Sequence, residues 1–177
     1  GYEVYSVAMG DVNRDGRTDL VVTNNCQSST VCPGPGGLSV LLGNGDGTFQ
    51  PAVPYYSGGY WGPDAVVIVD VNGNGIPDLV ASNYCLSGSI CPGPGDVAVL
   101  LGNGDGTFQR AVSYSSGGYH VFLVAVGDVN GDGYPDLIVA NECDSASCNY
   151  GVAGVLLGNG DGTFQAAQTY SSGGSTP

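Results

Sequence analysis

The chain has 177 residues and a formal net charge of −13, with 14 Asp and 2 Glu set against 3 Arg and no Lys. That balance excludes nucleic acid as a partner, because a polyanion would meet net repulsion and almost no cationic side chains. No run of 18 or more apolar residues occurs, so no membrane-spanning helix is expected.

The first element in chain order is an acidic loop, Asp11-Val-Asn13-Arg-Asp15-Gly16-Arg17-Thr-Asp19. It leads into an apolar run, Asp19-Leu20-Val21-Val22, and then a pair of cysteines, Cys26 and Cys32. A second apolar run, Val40-Leu41-Leu42, enters the turn-forming motif Gly43-Asn44-Gly45-Asp46-Gly47-Thr48-Phe49. The same order then recurs. The second acidic loop starts at Asp70 and the third at Asp128, so the steps are 59 and 58 residues. A repeat of that length is one supersecondary unit that needs neighbours to bury its apolar face. Repeats are expected at 1–59, 60–118 and 119–177, with Gly1-Tyr2, Gly59-Tyr60 and Gly118-Tyr119 in phase. A chain that begins in phase with its repeats is expected to be a processed protein or part of a longer one.

The middle copy shows the predicted strands most clearly. Ala65–Val69 is a continuous apolar run, as a strand buried on both faces would be. After the acidic loop, Asp78–Asn83 reads as a second strand and Asp96–Leu101 as a third. Gly102-Asn103-Gly104-Asp105-Gly106 is a hairpin-type turn, since Asn, Asp and Gly tolerate positive φ. Thr107–Tyr114 reads as a fourth, more polar strand, and Ser115–Gly118 as a linker. Four strands graded from apolar to polar match a propeller blade, whose innermost strand is buried and outermost strand faces solvent. No segment has helical spacing of apolar residues, so the expected fold is all-β. It is a propeller-type array of three four-stranded antiparallel blades, open as a single chain.

Oxygen-bearing side chains at positions 1, 3, 5 and 9 of each loop, with Gly at position 6, suit a hard cation such as Ca2+. The candidate ligands of loop one are Asp11, Asn13, Asp15 and Asp19, with the carbonyl of Arg17 at position 7. Loop two offers Asp70, Asn72, Asn74 and Asp78 with the carbonyl of Ile76. Loop three offers Asp128, Asn130, Asp132 and Asp136 with the carbonyl of Tyr134. One ion per blade is expected, three in all, with loop two the weakest because Asn74 replaces a carboxylate by a neutral amide. An EF-hand does not fit. Its bidentate Glu at position 12 would fall on Val22, Ala81 and Val139, and the flanks are not helical. A metal-free, Asx-rich turn is the competing reading of the same residues.

These runs, Gly10–Gly16 with Asp19–Val22 continuing into Val40–Phe49, resemble the FG-GAP/VCBS repeat family, best known from the propellers of integrin α subunits. Equivalent runs recur in both other copies, so the resemblance covers the chain. It implies a Ca2+ held between the first two strands of each blade, on one face of the disc.

Six cysteines fall in pairs, Cys26 with Cys32, Cys85 with Cys91, and Cys143 with Cys148. Fifteen pairings are open to six thiols, and one local bridge per repeat is the simplest. Each would stabilise by roughly 2 kcal/mol on the chain-entropy model. Bridges imply an oxidising setting, so a secreted or cell-surface protein is expected.

Catalytic machinery is scarce: His120 is the only His, and most Asp residues are absorbed by loops and turns. No enzyme activity is expected. Aromatic residues gather at the repeat junctions, and among them Tyr60, Trp61, Tyr119 and His120 are candidate ligand contacts. The leading expectation is a calcium-stabilised extracellular scaffold for protein interaction, adhesion or self-assembly through open blade edges. A calcium-dependent lectin that binds glycan is the alternative, and a propeller module of a larger secreted enzyme is the third reading.

Overall fold

The structure, a computed structural model, describes residues 4–24, 36–59, 62–84 and 94–175. Among these residues, twelve strands form three separate sheets. The first unit contains β1 (Val7–Gly10), β2 (Asp19–Asn24), β3 (Gly37–Leu41) and β4 (Val53–Tyr56). The second contains β5 (Pro63–Val69), β6 (Asp78–Asn83), β7 (Asp96–Leu100) and β8 (Val112–Ser115). The third contains β9 (Tyr119–Gly127), β10 (Asp136–Cys143), β11 (Tyr150–Leu156) and β12 (Gln168–Ser175). Within each sheet the strands lie side by side in chain order, every pair antiparallel. No described residue is helical.

Two apolar clusters hold the three sheets together. Between units one and two, Val12, Val21, Leu38 and Val40 pack against Val66, Leu79, Ala81, Ala98, Leu100 and Phe108. Between units two and three, Val71, Val80, Val97 and Val99 pack against Val121, Val124, Leu137, Val139, Leu156 and Phe164. Successive residues of β6 and β7 therefore serve opposite seams. Leu79, Ala81, Ala98 and Leu100 face unit one, while Val80, Val97 and Val99 face unit three. A side-chain period of two between two apolar neighbours is what turns a strand into an unbroken apolar run.

Burial peaks in the middle strands and not, as expected, in the first. Every residue of β6 and β7 is buried, whereas β5 is only partly so. In β1, Val7 and Met9 are 57% and 72% exposed. A first strand gains cover only from neighbouring sheets, and unit one has a neighbour on one side.

The fourth strand is also shorter than expected, with β8 covering Val112–Ser115 in place of Thr107–Tyr114. Phe108 makes an isolated bridge to Gly102, and Gln109 N–H donates to the Leu101 carbonyl at 2.8 Å. These bonds close a tight turn and tip Phe108 into the seam, where its ring meets Tyr55 edge-on at 5.5 Å. The chain rejoins the sheet only afterwards. Phe164 meets Tyr114 in the same way, at 5.5 Å.

One cysteine pair of the expected three is described. Cys143 and Cys148 are disulfide-bonded, closing the end of β10 onto the loop before β11. Cys26, Cys32, Cys85 and Cys91 lie outside the described residues, as do Tyr60 and Trp61.

Position 4 of each acidic loop adopts a left-handed backbone, with φ of 71° at Gly73 and 78° at Gly131. Arg14 occupies the same place at 62° and carries a Cβ. That conformation costs an L-residue roughly 1–2 kcal/mol. Arg14→Gly should therefore raise the melting temperature, stabilising the fold by about 1 kcal/mol. An unchanged or lower melt would show that Arg14 repays its strain through contacts of its side chain.

Candidate metal centre

Each acidic loop joins the first strand of a sheet to its second, and all three emerge on the same side. Gly10, at the end of β1, lies against Ile68 near the end of β5, where an added Cβ would stand 3.2 Å from Ile68 Cδ1. Within a loop the side chains fold back onto the backbone. Asp11 accepts the Asp15 N–H on Oδ1 at 3.0 Å and the Gly16 N–H on Oδ2 at 2.8 Å. Asp70 accepts from Gly73 at 2.8 Å and Gly75 at 2.7 Å, with longer bonds from Asn72 and Asn74. Asp128 accepts from Gly131 at 2.7 Å and Gly133 at 2.9 Å. These two N–H groups hold the Asp128 carboxyl below the usual carboxylate range.

Positions 3 and 5 continue the coil. Asn13, Asn72 and Asn130 accept the N–H of Asp15, Asn74 and Asp132 at 3.1, 3.1 and 2.9 Å. Asp15, Asn74 and Asp132 in turn accept the N–H of Arg17, Ile76 and Tyr134 at 2.9, 2.7 and 2.8 Å. Three side chains per loop, at positions 1, 3 and 5, thus have their oxygens oriented by local N–H donors. In loop one the Arg17 guanidinium stands 3.9 Å from Asp15, too exposed to neutralise it well.

Position 9 does something else. Asp19, Asp78 and Asp136 are fully buried. Asp19 accepts the N–H of Val12 at 2.9 Å and of Gly43 at 2.8 Å, one on each oxygen. Asp78 does the same with Val71 and Gly102, and Asp136 with Val129 and Gly158. One donor belongs to the acidic loop and the other opens the Gly-Asn-Gly turn after the third strand. The carboxylate therefore pins two loops together, a structural duty that the sequence motif did not disclose. Burial pushes the Asp78 carboxyl up, against the pull of the Gly102 and Val71 N–H groups.

Among the described residues, no three acidic side chains of one loop draw their oxygens within 4.8 Å of one another. The donor set still fits a hard cation, because the oxygens that accept a single N–H keep a free lone pair; Asp70 Oδ1, which accepts three, is the exception and agrees with loop two as the weakest site.

The Gly-Asn-Gly-Asp-Gly-Thr-Phe motif is a self-contained turn. Asp46, Asp105 and Asp161 accept both the N–H and the hydroxyl of Thr48, Thr107 and Thr163. The Thr bonds hold all three carboxyls below the usual range.

His120, singled out as a ligand contact, lies in a cluster the sequence did not foreshadow. Its ring stacks on Tyr84 of unit two, with centroids 4.7 Å apart, and its φ is 56°. His120 Nδ1 stands 3.2 Å from Glu142 and 3.5 Å from Cys143 Sγ. These three form a ligand-like group, but the Cys143 sulfur is committed to its disulfide and offers no thiolate. Tyr119 is half-buried at the start of β9, paired with Cys143.

A model of the FG-GAP-like repeat matches residues 11–81 and 85–139, more than half of the chain. The chain belongs to that repeat family. No curated protein matches it significantly. Rhamnogalacturonan lyase YesW shares the fold, with a TM-score of 0.57 at 14% identity, over 98% of this chain and 35% of the lyase. A rhamnogalacturonan lyase from Bacillus licheniformis gives 0.56 at 14% identity, over 97% and 35%. The FG-GAP-like chain thus spans 35% of the length of either lyase, and at such identity the likeness concerns fold alone.

Two predictions arise from these buried carboxylates. Asp19→Ala would leave two buried N–H groups unpaired, at roughly 1–3 kcal/mol each. Its melt should fall even in chelator, since that part of the loss is independent of metal; a loss confined to calcium would make Asp19 chiefly a ligand. Asp96, at the start of β7, is fully buried, and Ser113 and Asn83 beside its carboxyl offset only part of the cost of that burial. Burial raises its pKa above the unfolded value, so stability falls as pH rises through that window and stays lower above it. Asp96→Asn should raise the melting temperature at neutral pH and lose that advantage below the ordinary carboxylate range. Equal melts at neutral pH would refute the penalty.

Proposed function

We propose that this FG-GAP-like chain is a non-enzymatic, calcium-stabilised propeller module of an extracytoplasmic protein, serving as a scaffold for protein interaction or self-assembly. The observation that carries the reading is the threefold recurrence of one oxygen-lined loop, on one side of three packed sheets, with its donors already oriented. In loop one Asp11, Asn13 and Asp15 with the Arg17 carbonyl would hold the ion, and Asp19 would anchor the loop and complete the set. In loop two the corresponding residues are Asp70, Asn72, Asn74, Ile76 and Asp78; in loop three they are Asp128, Asn130, Asp132, Tyr134 and Asp136. A bound Ca2+ supplies positive charge to an otherwise self-repelling cluster. The chain's own part is to keep those oxygens on one side of the array, leaving the two outermost sheet faces for partners. The Cys143–Cys148 disulfide supports an oxidising location.

Calcium should raise the melting temperature and chelator should lower it, as read by calorimetry. Asp15→Ala and Asp132→Ala should each remove one tight site from a calcium titration, with the Asp70 loop as the weakest remaining. A melt indifferent to chelator would end the metal reading.

A second reading is a module of a larger secreted carbohydrate-active enzyme, favoured by the fold shared with two rhamnogalacturonan lyases. Binding of pectic oligosaccharides on a glycan array, abolished by chelator, would support it, and an array without signal would reject it.

A further inference from the structure

The three units present equivalent residues, so the covered and uncovered copies of one surface can be compared within a single molecule. Each seam joins the back face of one unit to the front face of the next. In the first seam, Val12, Val40, Leu42 and Tyr55 of unit one receive Val66, Leu79 and Phe108 of unit two. In the second, Val71, Val99, Leu101 and Tyr114 of unit two receive Val124, Leu137 and Phe164 of unit three. The detail repeats as well. Gly106 sits so close to unit one that an added Cβ would lie 2.9 Å from Leu42 Cδ2 and 3.2 Å from Asn13 Cβ. Gly162 stands in the same relation to Leu101 and Asn72, at 2.9 and 3.5 Å.

Among the described residues, two faces lack their complement. On the front of unit one, Phe49 is 37% exposed, against 8% for Phe108 and 7% for Phe164. Val7 is 57% exposed where its equivalent Val66 is 5% exposed. A Cβ at Gly47, the counterpart of Gly106 and Gly162, would meet nothing within 4 Å. On the back of unit three, Val129 is 55% exposed where Val12 and Val71 are 1%. Tyr170, the counterpart of Tyr55 and Tyr114, is 56% exposed. A cavity of about 370 Å³ opens there, lined by Val129, Asn130, Val155, Leu157 and Tyr170. These include the counterparts of Asn13 and Leu42, the residues that Gly106 touches in the first seam.

We propose that the front face of unit one docks into the back face of unit three of a second copy of this chain, repeating the internal seam between molecules. The occupant is identified by continuity: the socket is the third instance of a surface whose first two instances each hold such a face, and among the described residues unit one presents one such face uncovered. Phe49 then meets Tyr170 edge-on, and the Gly47 turn covers Leu157 and Asn130. The contact is head-to-tail, so it closes into a ring or extends as a filament according to the rotation per copy. The proposal rests on the interaction-scaffold reading and specifies its partner.

The test is sedimentation velocity of the whole chain in calcium, across micromolar to high-micromolar concentrations. The expected result is a mass above the 17.8 kDa of one chain, growing with concentration or settling at a closed multiple. Met9→Glu and Val129→Asp place charge on side chains that are 72% and 55% exposed in the single chain, so each should keep its melt. Each alone should weaken association at least about tenfold, since a charge buried unpaired at an interface costs well over 1.4 kcal/mol. An equimolar mixture should form a complex of one Met9→Glu chain with one Val129→Asp chain and stop there, because each variant keeps one intact face. A wild-type chain that stays at 17.8 kDa throughout overturns the proposal. So does assembly by either variant alone at wild-type strength, or a mixture that forms nothing. The metal reading is decided separately, by the chelator melt.

Discussion

The buried carboxylate at position 9 of each acidic loop is the contact on which the rest of the unit depends. Asp19, Asp78 and Asp136 each spend both oxygens on backbone N–H groups from two loops distant in sequence. A fully buried anion is costly, and two short N–H bonds offset part of that cost. Through them the oxygen-lined loop and the Gly-Asn-Gly turn are set in a fixed relation. That turn in turn aims Phe108 and Phe164 at the preceding unit, and leaves Phe49 on the uncovered face of unit one. The geometry of the oxygen-lined loop and that of the seam are therefore coupled through one side chain per repeat.

The seams explain why the units need each other. A four-stranded meander has two faces, and the strands of unit two are apolar on both, with alternate residues serving alternate neighbours. Removing either neighbour would expose a row of Val and Leu that water cannot solvate favourably. The conditions at the two ends of the array confirm the rule from the other side: the same residue types, at the same places, are uncovered only where a neighbour is lacking. Glycine at positive φ in the turn is part of this fit, since at Gly106 and Gly162 a Cβ would press on the neighbouring leucine.

Electrostatics run against this packing. Eight of the 14 Asp lie in the acidic loops, and lysine is absent, so the loops have few cations to pair with. Local N–H donors orient the oxygens at positions 1, 3 and 5 but supply no net charge. The fold thus leaves concentrated negative potential at one edge of the array, a condition that a divalent ion relieves and a monovalent one relieves only in part.

Much of this was legible in the residues themselves. The repeat length, the four-strand unit, the absence of helix among the described residues and the turn at Gly102–Gly106 all follow from local pattern, because period-two alternation and positive-φ residues act within a few positions of themselves. The oxygen ladder at positions 1, 3 and 5 was legible for the same reason. What local pattern left open were matters decided by neighbours distant in the chain. The double duty of Asp19 depends on Gly43, which only folding brings to it. The greater burial of β6 and β7 over β5 depends on having a sheet on either side, and the shortened fourth strand on a seam that captures Phe108. His120 came to stack on Tyr84 because two units meet there, and no spacing in the sequence encodes that meeting. Short-range chemistry thus determined the unit, while the order of packing alone decided which faces are covered and which remain open.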